Sequence, residues 1–289
     1  MTIKVLLQTT ITATRDDWSI ARFGLLCSFL REQVDSVGRP MFAVTARDRE
    51  AVDSTDPVLS TLQSSDFDEM WLFATDTGTG LRPEECAAIA EFRRNGRGLL
   101  VTRDHMDLGS SLCHLDGVGA AHQFHTRNLD PQFPLERDDP YTAEIDWPNF
   151  HSGANGDFQH VEIEGDIHPV LIDPSSPTGA IRFLPSHPHE GAVHAPENQN
   201  ARVISRGRSI VTGRPFNLAV VFEGSPILGR AIAESSFHHF LDYNWDPRSG
   251  APTFVREPVG DAILRDPAAL ESTHRYVRNV ALWLAGARE

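Results

Sequence analysis

The sequence is short of positive charge: 26 Lys and Arg stand against 40 Asp and Glu, a formal net charge of −14 at neutral pH. A field of that sign repels nucleic-acid phosphates and anionic membrane surfaces, so neither is expected as a partner. Cysteine is scarce too. The three present, Cys27, Cys86 and Cys113, are scattered and odd in number, which excludes a disulfide framework and a CxxC zinc motif and suits a reducing compartment. No apolar run approaches the roughly 18 residues that cross a bilayer, and the amino terminus turns polar after a few apolar positions. A soluble, cytoplasmic protein is expected. Internal repeats, low-complexity tracts and a linker between two cores are also lacking. With 289 residues, 40% hydrophobic and 23% charged, the chain has enough apolar side chains for one domain spanning 1–289.

What is present alternates two patterns in the first third. Short β-rich apolar runs are separated by stretches whose apolar residues recur every three or four positions, the signature of βαβ units. Ile3 to Leu7 reads as a strand, and Asp16 to Val34 as a helix with Ile20, Phe23, Cys27, Leu30 and Val34 on one stripe. Met41 to Ala46 and Met70 to Ala74 read as further strands. A helix from Pro83, with Glu84 and Glu85 in its first turn, stops at Gly96 and feeds a strand over Leu99 to Thr102. Strands joined by helices run parallel with right-handed crossovers, which predicts a three-layer open α/β sheet. From about His125 to Asn200, Pro, Asp, His, Gly and Asn dominate, and a long loop-rich insertion is expected. Ala201 to Ser205, Phe216 to Phe222 and Arg230 to Ser235 follow as closely spaced strands, read as antiparallel hairpin or edge strands. Asp266 as N-cap and Pro267 open a last helix whose buried stripe is Leu270, His274, Val277, Ala281 and Leu284.

In an open parallel sheet, ligands bind beyond the carboxyl ends of the strands. Two reactive clusters follow such ends: Arg103-Asp104-His105-Met106-Asp107-Leu108-Gly109, and His238-His239-Phe240-Leu241-Asp242-Tyr243-Asn244-Trp245-Asp246. In the first, Asp104, His105 and Asp107 are candidates for general base, orienter or metal ligand, and Arg103 for an anion contact. The plainer reading is an Asp capping the next helix and a His bonded to a carbonyl. In the second, adjacent histidines on extended chain face opposite ways, so His238 is assigned to catalysis in the crevice. His239 and Asp242 are candidate substrate contacts, Asp242 also as a carboxylate behind His238; a polar strand end with aromatic packing is the alternative. His122 and His125, spaced His-x-x-His, can share a helical face and are candidate ligands for a divalent metal such as zinc, although no complete metal signature is present. His168, His187, His189 and His194 lie among prolines and read as mostly solvated loop, and His274 as a core histidine. Cys27 and Cys86 read as small buried hydrophobes. Cys113 lies about one helical turn beyond the place where an elbow presents a nucleophile. The Thr77-Gly78-Thr79-Gly80 loop lacks a Walker lysine and a dinucleotide fingerprint.

Several of these runs together resemble a known family: Asp68 to Thr75, Arg82 to Arg94, Asn95-Gly96-Arg97-Gly98-Leu99-Leu100-Val101, Ile167-His168-Pro169-Val170, and the Gly229-Arg230 strand ending in Phe237-His238-His239. The pattern is similar to the ThuA-like branch of the class I glutamine amidotransferase-like superfamily, over roughly residues 3 to 106 and 160 to 246. The resemblance implies a flavodoxin-like three-layer α/β/α sandwich with a mostly parallel sheet. In true amidotransferases a Gly-x-Cys-x-Gly elbow follows the strand that here ends near Thr102, and a later His-x-Glu completes the triad. Here the elbow reads Asp104-His105-Met106-Asp107-Leu108-Gly109, and Phe240 stands two residues after His238. The resemblance thus implies a role linked to sugar metabolism rather than glutamine hydrolysis through a thioester. The expected function is a hydrolase- or lyase-type enzyme acting on a small polar, carbohydrate-derived substrate without a cysteine nucleophile. Two alternatives stay open: a non-catalytic binding or scaffold protein that keeps the fold, and a thiol-dependent hydrolase using Cys113. The partners left open are a small-molecule substrate and further copies of the same chain.

Overall fold

Short apolar runs set four parallel strands, β1 (Ile3–Thr12), β2 (Phe42–Arg49), β3 (Glu69–Phe73) and β4 (Gly98–Thr102), in the computed structural model, which describes residues 2–50, 54–126, 138, 145 and 149–286. Every residue of β3 and β4 is buried, as expected where both faces of a sheet are covered. Helix α1 (Gly24–Glu32) joins β1 to β2, and α2 (Pro83–Arg94) joins β3 to β4. Pro83 at the first position, Glu84 and Glu85 in the first turn and Arg93 and Arg94 in the last all suit the dipole of α2. The expected helix from Asp16 is shorter than the periodicity suggested. Asp16 instead accepts the Thr253 backbone N–H at 2.7 Å, Ile20–Phe23 forms a 3-10 turn, and α1 begins at Gly24.

The middle of the chain contributes short strands β5 (His122–Gln123), β6 (Phe158–His160), β7 (Glu162–Ile163), β8 (Phe183–Pro185) and β9 (Ala192–Val193). Then come β10 (Ala201–Arg208), β11 (Pro215–Phe222) and β12 (Ala231–Glu234). The main sheet has the order β2-β1-β3-β4-β12-β11-β10-β7, while β5 pairs with β9 and β6 with β8. Strand β12 corrects the edge-strand expectation. It lies parallel to β4, with Ala231 opposite Leu99 and Glu234 opposite Thr102, and antiparallel to β11, so it is buried in mid-sheet. Of the expected insertion, 127–137, 139–144 and 146–148 lie outside the described residues.

Helices α3 (Asp242–Trp245), α4 (Ala262–Arg265) and α5 (Pro267–Leu284) complete the chain, with Asp266 capping α5 through the Ala268 N–H. Alternation along the strands divides the core into two faces. Val5, Leu7, Trp71, Phe73 and Ile232 pack with α1 and α5, whereas Leu6, Met70, Leu72, Val101 and Ala233 pack with Cys86, Ile89 and Phe92 of α2. The result is a flavodoxin-like α/β/α sandwich with a mostly parallel sheet. Among the described residues no helix is long and apolar enough to cross a membrane.

Candidate active site

Because β4 and β12 are parallel neighbours, the chain leaves both at the same rim of the sheet. Asp104 follows β4 and His238 follows β12, and the Phe237 N–H donates to the Arg103 carbonyl at 3.0 Å to hold the two exits together. Ser236 links them again. Its hydroxyl donates to Asp104 Oδ1 at 3.1 Å and accepts the His238 N–H at 3.1 Å, capping the short turn Phe237–Phe240. A third segment threads in from β8. A Cβ at Gly191 would lie 2.6 Å from both the Asp104 and Ser235 carbonyl oxygens, so only glycine lets the backbone pass this close. That passage brings His187 to the rim, where its N–H donates to the Ser152 hydroxyl at 2.9 Å.

Three side chains converge there. Asp104 Oδ2 lies 3.3 Å from His187 Nε2 and 3.6 Å from His238 Nε2, and the two rings stack with centroids 3.5 Å apart and planes 11° apart. At their other nitrogens, His187 Nδ1 meets Asn155 Oδ1 at 3.0 Å and His238 Nδ1 meets Asn244 Oδ1 at 2.9 Å. Asp104, His187 and His238 are 2%, 3% and 2% exposed. Burial, then the neighbouring imidazoles, holds the pKa of both histidines well below the usual range, so both are neutral. Among the described residues this is the group whose ligand atoms, within 4.8 Å of one another, could hold a metal. His105 lies beside them with 18% of its side chain exposed and Nδ1 3.8 Å from Asp104 Oδ2. Its ring stacks on His189, whose Nε2 lies 3.4 Å from Glu257. Trp18 meets the His238 ring edge-on at 5.0 Å.

The structure thus brings Asp104, His105 and His238 together and sends the other candidates elsewhere. Asp107 turns away to accept from the Thr126 N–H at 3.1 Å and to pair with His125 at 3.1 Å. Arg103 is not an anion contact. It is fully buried over Phe124 and donates to the carbonyls of His105, Met106 and Leu108, stapling the elbow. His239 does not reach a substrate crevice either, because it is buried between Glu234 at 2.9 Å and Glu190 at 3.3 Å. Asp242 caps α1 through the N–H groups of Gly24 (3.1 Å) and Leu25 (2.7 Å). His122 and His125 share no helical face: His122 opens β5 in the core, and His125 is half-exposed beside Asp107.

His168, His187 and His189 are buried, against the solvated-loop expectation. Sequence reasoning missed His187, Asn155 and Asn244. The available signal was His187-Pro188-His189, two imidazoles spaced to share one side of extended chain.

No protein-family model and no curated protein matches the chain. Solved structures share its fold. A ThuA-like protein from Parabacteroides merdae is 14% identical with a TM-score of 0.54, covering 99% of this chain and 91% of that one. The mmIFT52 N-terminal domain is 10% identical with a TM-score of 0.53, covering 97% of each. The glutaminase domain of Trypanosoma brucei CTPS with bound acivicin is 14% identical with a TM-score of 0.48, covering 100% and 96%. At such identities the likeness speaks for the fold alone.

Proposed function

We propose that the chain is an enzyme of hydrolase or lyase type that acts on a small polar, carbohydrate-derived substrate, without a cysteine nucleophile, at the Asp104, His187 and His238 centre. One observation carries the reading. A carboxylate and two neutral imidazoles from three separate segments converge at the carboxyl rim of the sheet, the face where open α/β sheets bind ligands. Burying such groups costs free energy that apolar packing would avoid, and perturbed clusters of this kind gather where chemistry needs them. Such a set can move a proton or hold a cation that polarises a hydroxyl or a water, and either suits hydrolase or lyase chemistry. His105, with 18% of its side chain exposed, is the most accessible of these groups.

The carbohydrate class is what the sequence resemblance to the ThuA-like branch implies. Cys113 takes no part in this reading. It lies in the short helix Ser110–His114 against the α2-side core, whereas Trp18 and Phe237, the aromatic neighbours of His238, belong to the α5-side core. A panel of sugars and glycosides, screened by thermal shift and for turnover, tests the proposal. A hit is expected that Asp104→Asn and His238→Ala abolish, with turnover falling about 10²–10⁴-fold. Turnover retained in both variants removes these residues from the site, and a panel without any hit counts against the substrate class.

A further inference from the structure

The polarity of the hydrogen bonds behind the centre leads further. The Ser186 carbonyl can only accept, so the Asn244 group 2.9 Å from it is the NH2. That NH2 also donates to Asn155 Oδ1 at 2.9 Å, and Asn244 is left with its oxygen toward His238 Nδ1. Asn155, turned by the same bond, presents its oxygen to His187 Nδ1. Carboxamide oxygens do not donate, so both Nδ1 atoms carry the hydrogen and both Nε2 atoms are bare lone pairs. Those lone pairs stand 3.3 and 3.6 Å from Asp104 Oδ2. The other carboxylate oxygen is engaged by the Ser236 hydroxyl, and His187 Nε2, on a side chain 96% buried, has no hydrogen-bond partner. Three acceptors therefore share one buried spot with no donor between them, an arrangement that low-dielectric surroundings make costly.

We infer that Asp104 Oδ2, His187 Nε2 and His238 Nε2 bind a divalent first-row transition-metal ion, zinc or iron(II), and leave a further coordination position open. As a binding site this stands on the geometry alone; as the cofactor of the proposed enzyme it rests on that reading. With metal–ligand bonds of about 2.0–2.1 Å, neighbouring donors of a tetrahedron lie about 3.3–3.4 Å apart, close to the two distances to Asp104 Oδ2, and one ring tilts out of the near-parallel stack so that both Nε2 lone pairs point at the ion. One shared proton is a poorer solution. It satisfies one imidazole and leaves the other lone pair facing the carboxylate, while two protons would stack two imidazolium rings at 3.5 Å. Two imidazoles and one carboxylate suit zinc or iron(II), and the set lacks the all-oxygen shell that calcium or magnesium takes. Asn155 and Asn244 hold the rings from behind, as partners of metal-bound histidines do.

The test is metal analysis of the chain purified without chelator, then stripping and titration of the stripped chain with zinc or, anaerobically, with iron(II). One ion per chain is expected, and the titration arms identify which. Asp104→Asn and His187→Gln each weaken binding more than about 100-fold, and Asn244→Leu about 10–100-fold. His125→Ala leaves binding unchanged. Near-UV circular dichroism checks folding, and Asp104→Asn, which keeps the side-chain shape, decides the matter if His187→Gln does not fold. A stripped wild-type chain that takes up neither ion at micromolar concentration overturns the inference, as does binding that survives in both Asp104→Asn and His187→Gln. An ion bound at this site without turnover on the sugar panel upholds the inference and counts against the proposed function. Turnover undiminished in the stripped chain does the reverse for the cofactor role.

Discussion

Glu69 allows stability to be perturbed at the rim of the sheet opposite the site. It opens β3, fully buried, with Val5 of β1 and Gly98 of β4 as its register partners. Both carboxyl oxygens are shielded from water. Burial pushes its pKa well above the ordinary 4.5; the Trp71 indole opposes the rise and the Asp68 carboxylate adds to it. The folded chain therefore binds this proton more tightly than the unfolded chain does. The stability linked to it is complete below pH 4.5 and declines as pH rises toward the folded pKa. Within that window the slope is about 1.4 kcal/mol per pH unit. Glu69→Gln keeps the shape and cannot ionise, so it removes the slope. From pH 5 upward the wild type is expected to lose stability relative to the variant, by up to about 1.4 kcal/mol per pH unit until the folded pKa is reached. Other titrating groups are common to both chains and cancel in the difference. Urea unfolding at pH 5, 6 and 7 reads it as a midpoint difference of roughly half a molar for a slope near 3 kcal/mol/M. A gap between the two chains that stays constant across those pH values refutes the assignment of a raised pKa to Glu69.

Other perturbations bear on how the rim is held. Arg103→Lys loses the forked contacts to three elbow carbonyls and is expected to cost about 2–3 kcal/mol by calorimetry. Glu190 accepts from the Ser152 and Ser235 hydroxyls and the Gln159 amide while pairing with His239. Glu190→Gln sets an amide NH2 against those donors and is expected to cost about 3–5 kcal/mol in chemical unfolding. Gly191→Ala puts a Cβ 2.6 Å from two backbone oxygens, so it should cost about 1–3 kcal/mol and also displace His187. A Gly191→Ala chain with unchanged unfolding midpoint would show that the close passage beside β4 and β12 is not needed.

The parts of the fold legible in the sequence are those fixed locally. Strand β3 follows from an unbroken apolar run, α2 from Pro83 and its acidic first turn, and α5 from Asp266 and Pro267. Strand β12 was legible as a strand but not as a central one. Four residues, Ala-Ile-Ala-Glu, do not say which neighbours will flank them; that is set by β4 and β11. Asp104 and His238 were legible because the rule about strand ends depends only on topology. Arg103, His239 and Asp242 misled for a chemical reason. The groups that bind substrates are the same ones that staple carbonyls, pair with buried glutamates and cap helices, and the choice between these uses depends on partners distant in sequence, such as Glu190 for His239.

His187 shows where the site's chemistry departs from what the fold alone provides. The sheet supplies Asp104 and His238, and any chain with this strand order exposes the same two exits. Asn155, Ser186 and His187 all come from the loop-rich middle, and they decide the tautomer of both imidazoles and close the acceptor triad around Asp104 Oδ2. Without that segment His238 would keep Asn244 behind it, but the imidazole stacked on it would be missing and only His105, 3.8 Å away, would remain beside the carboxylate. A mechanism cannot pass to this chain with the sandwich, because the sandwich provides only a place. The Asp104, His187 and His238 cluster needs residues threaded past Gly191, and a relative without that passage can share the layers while lacking the cluster.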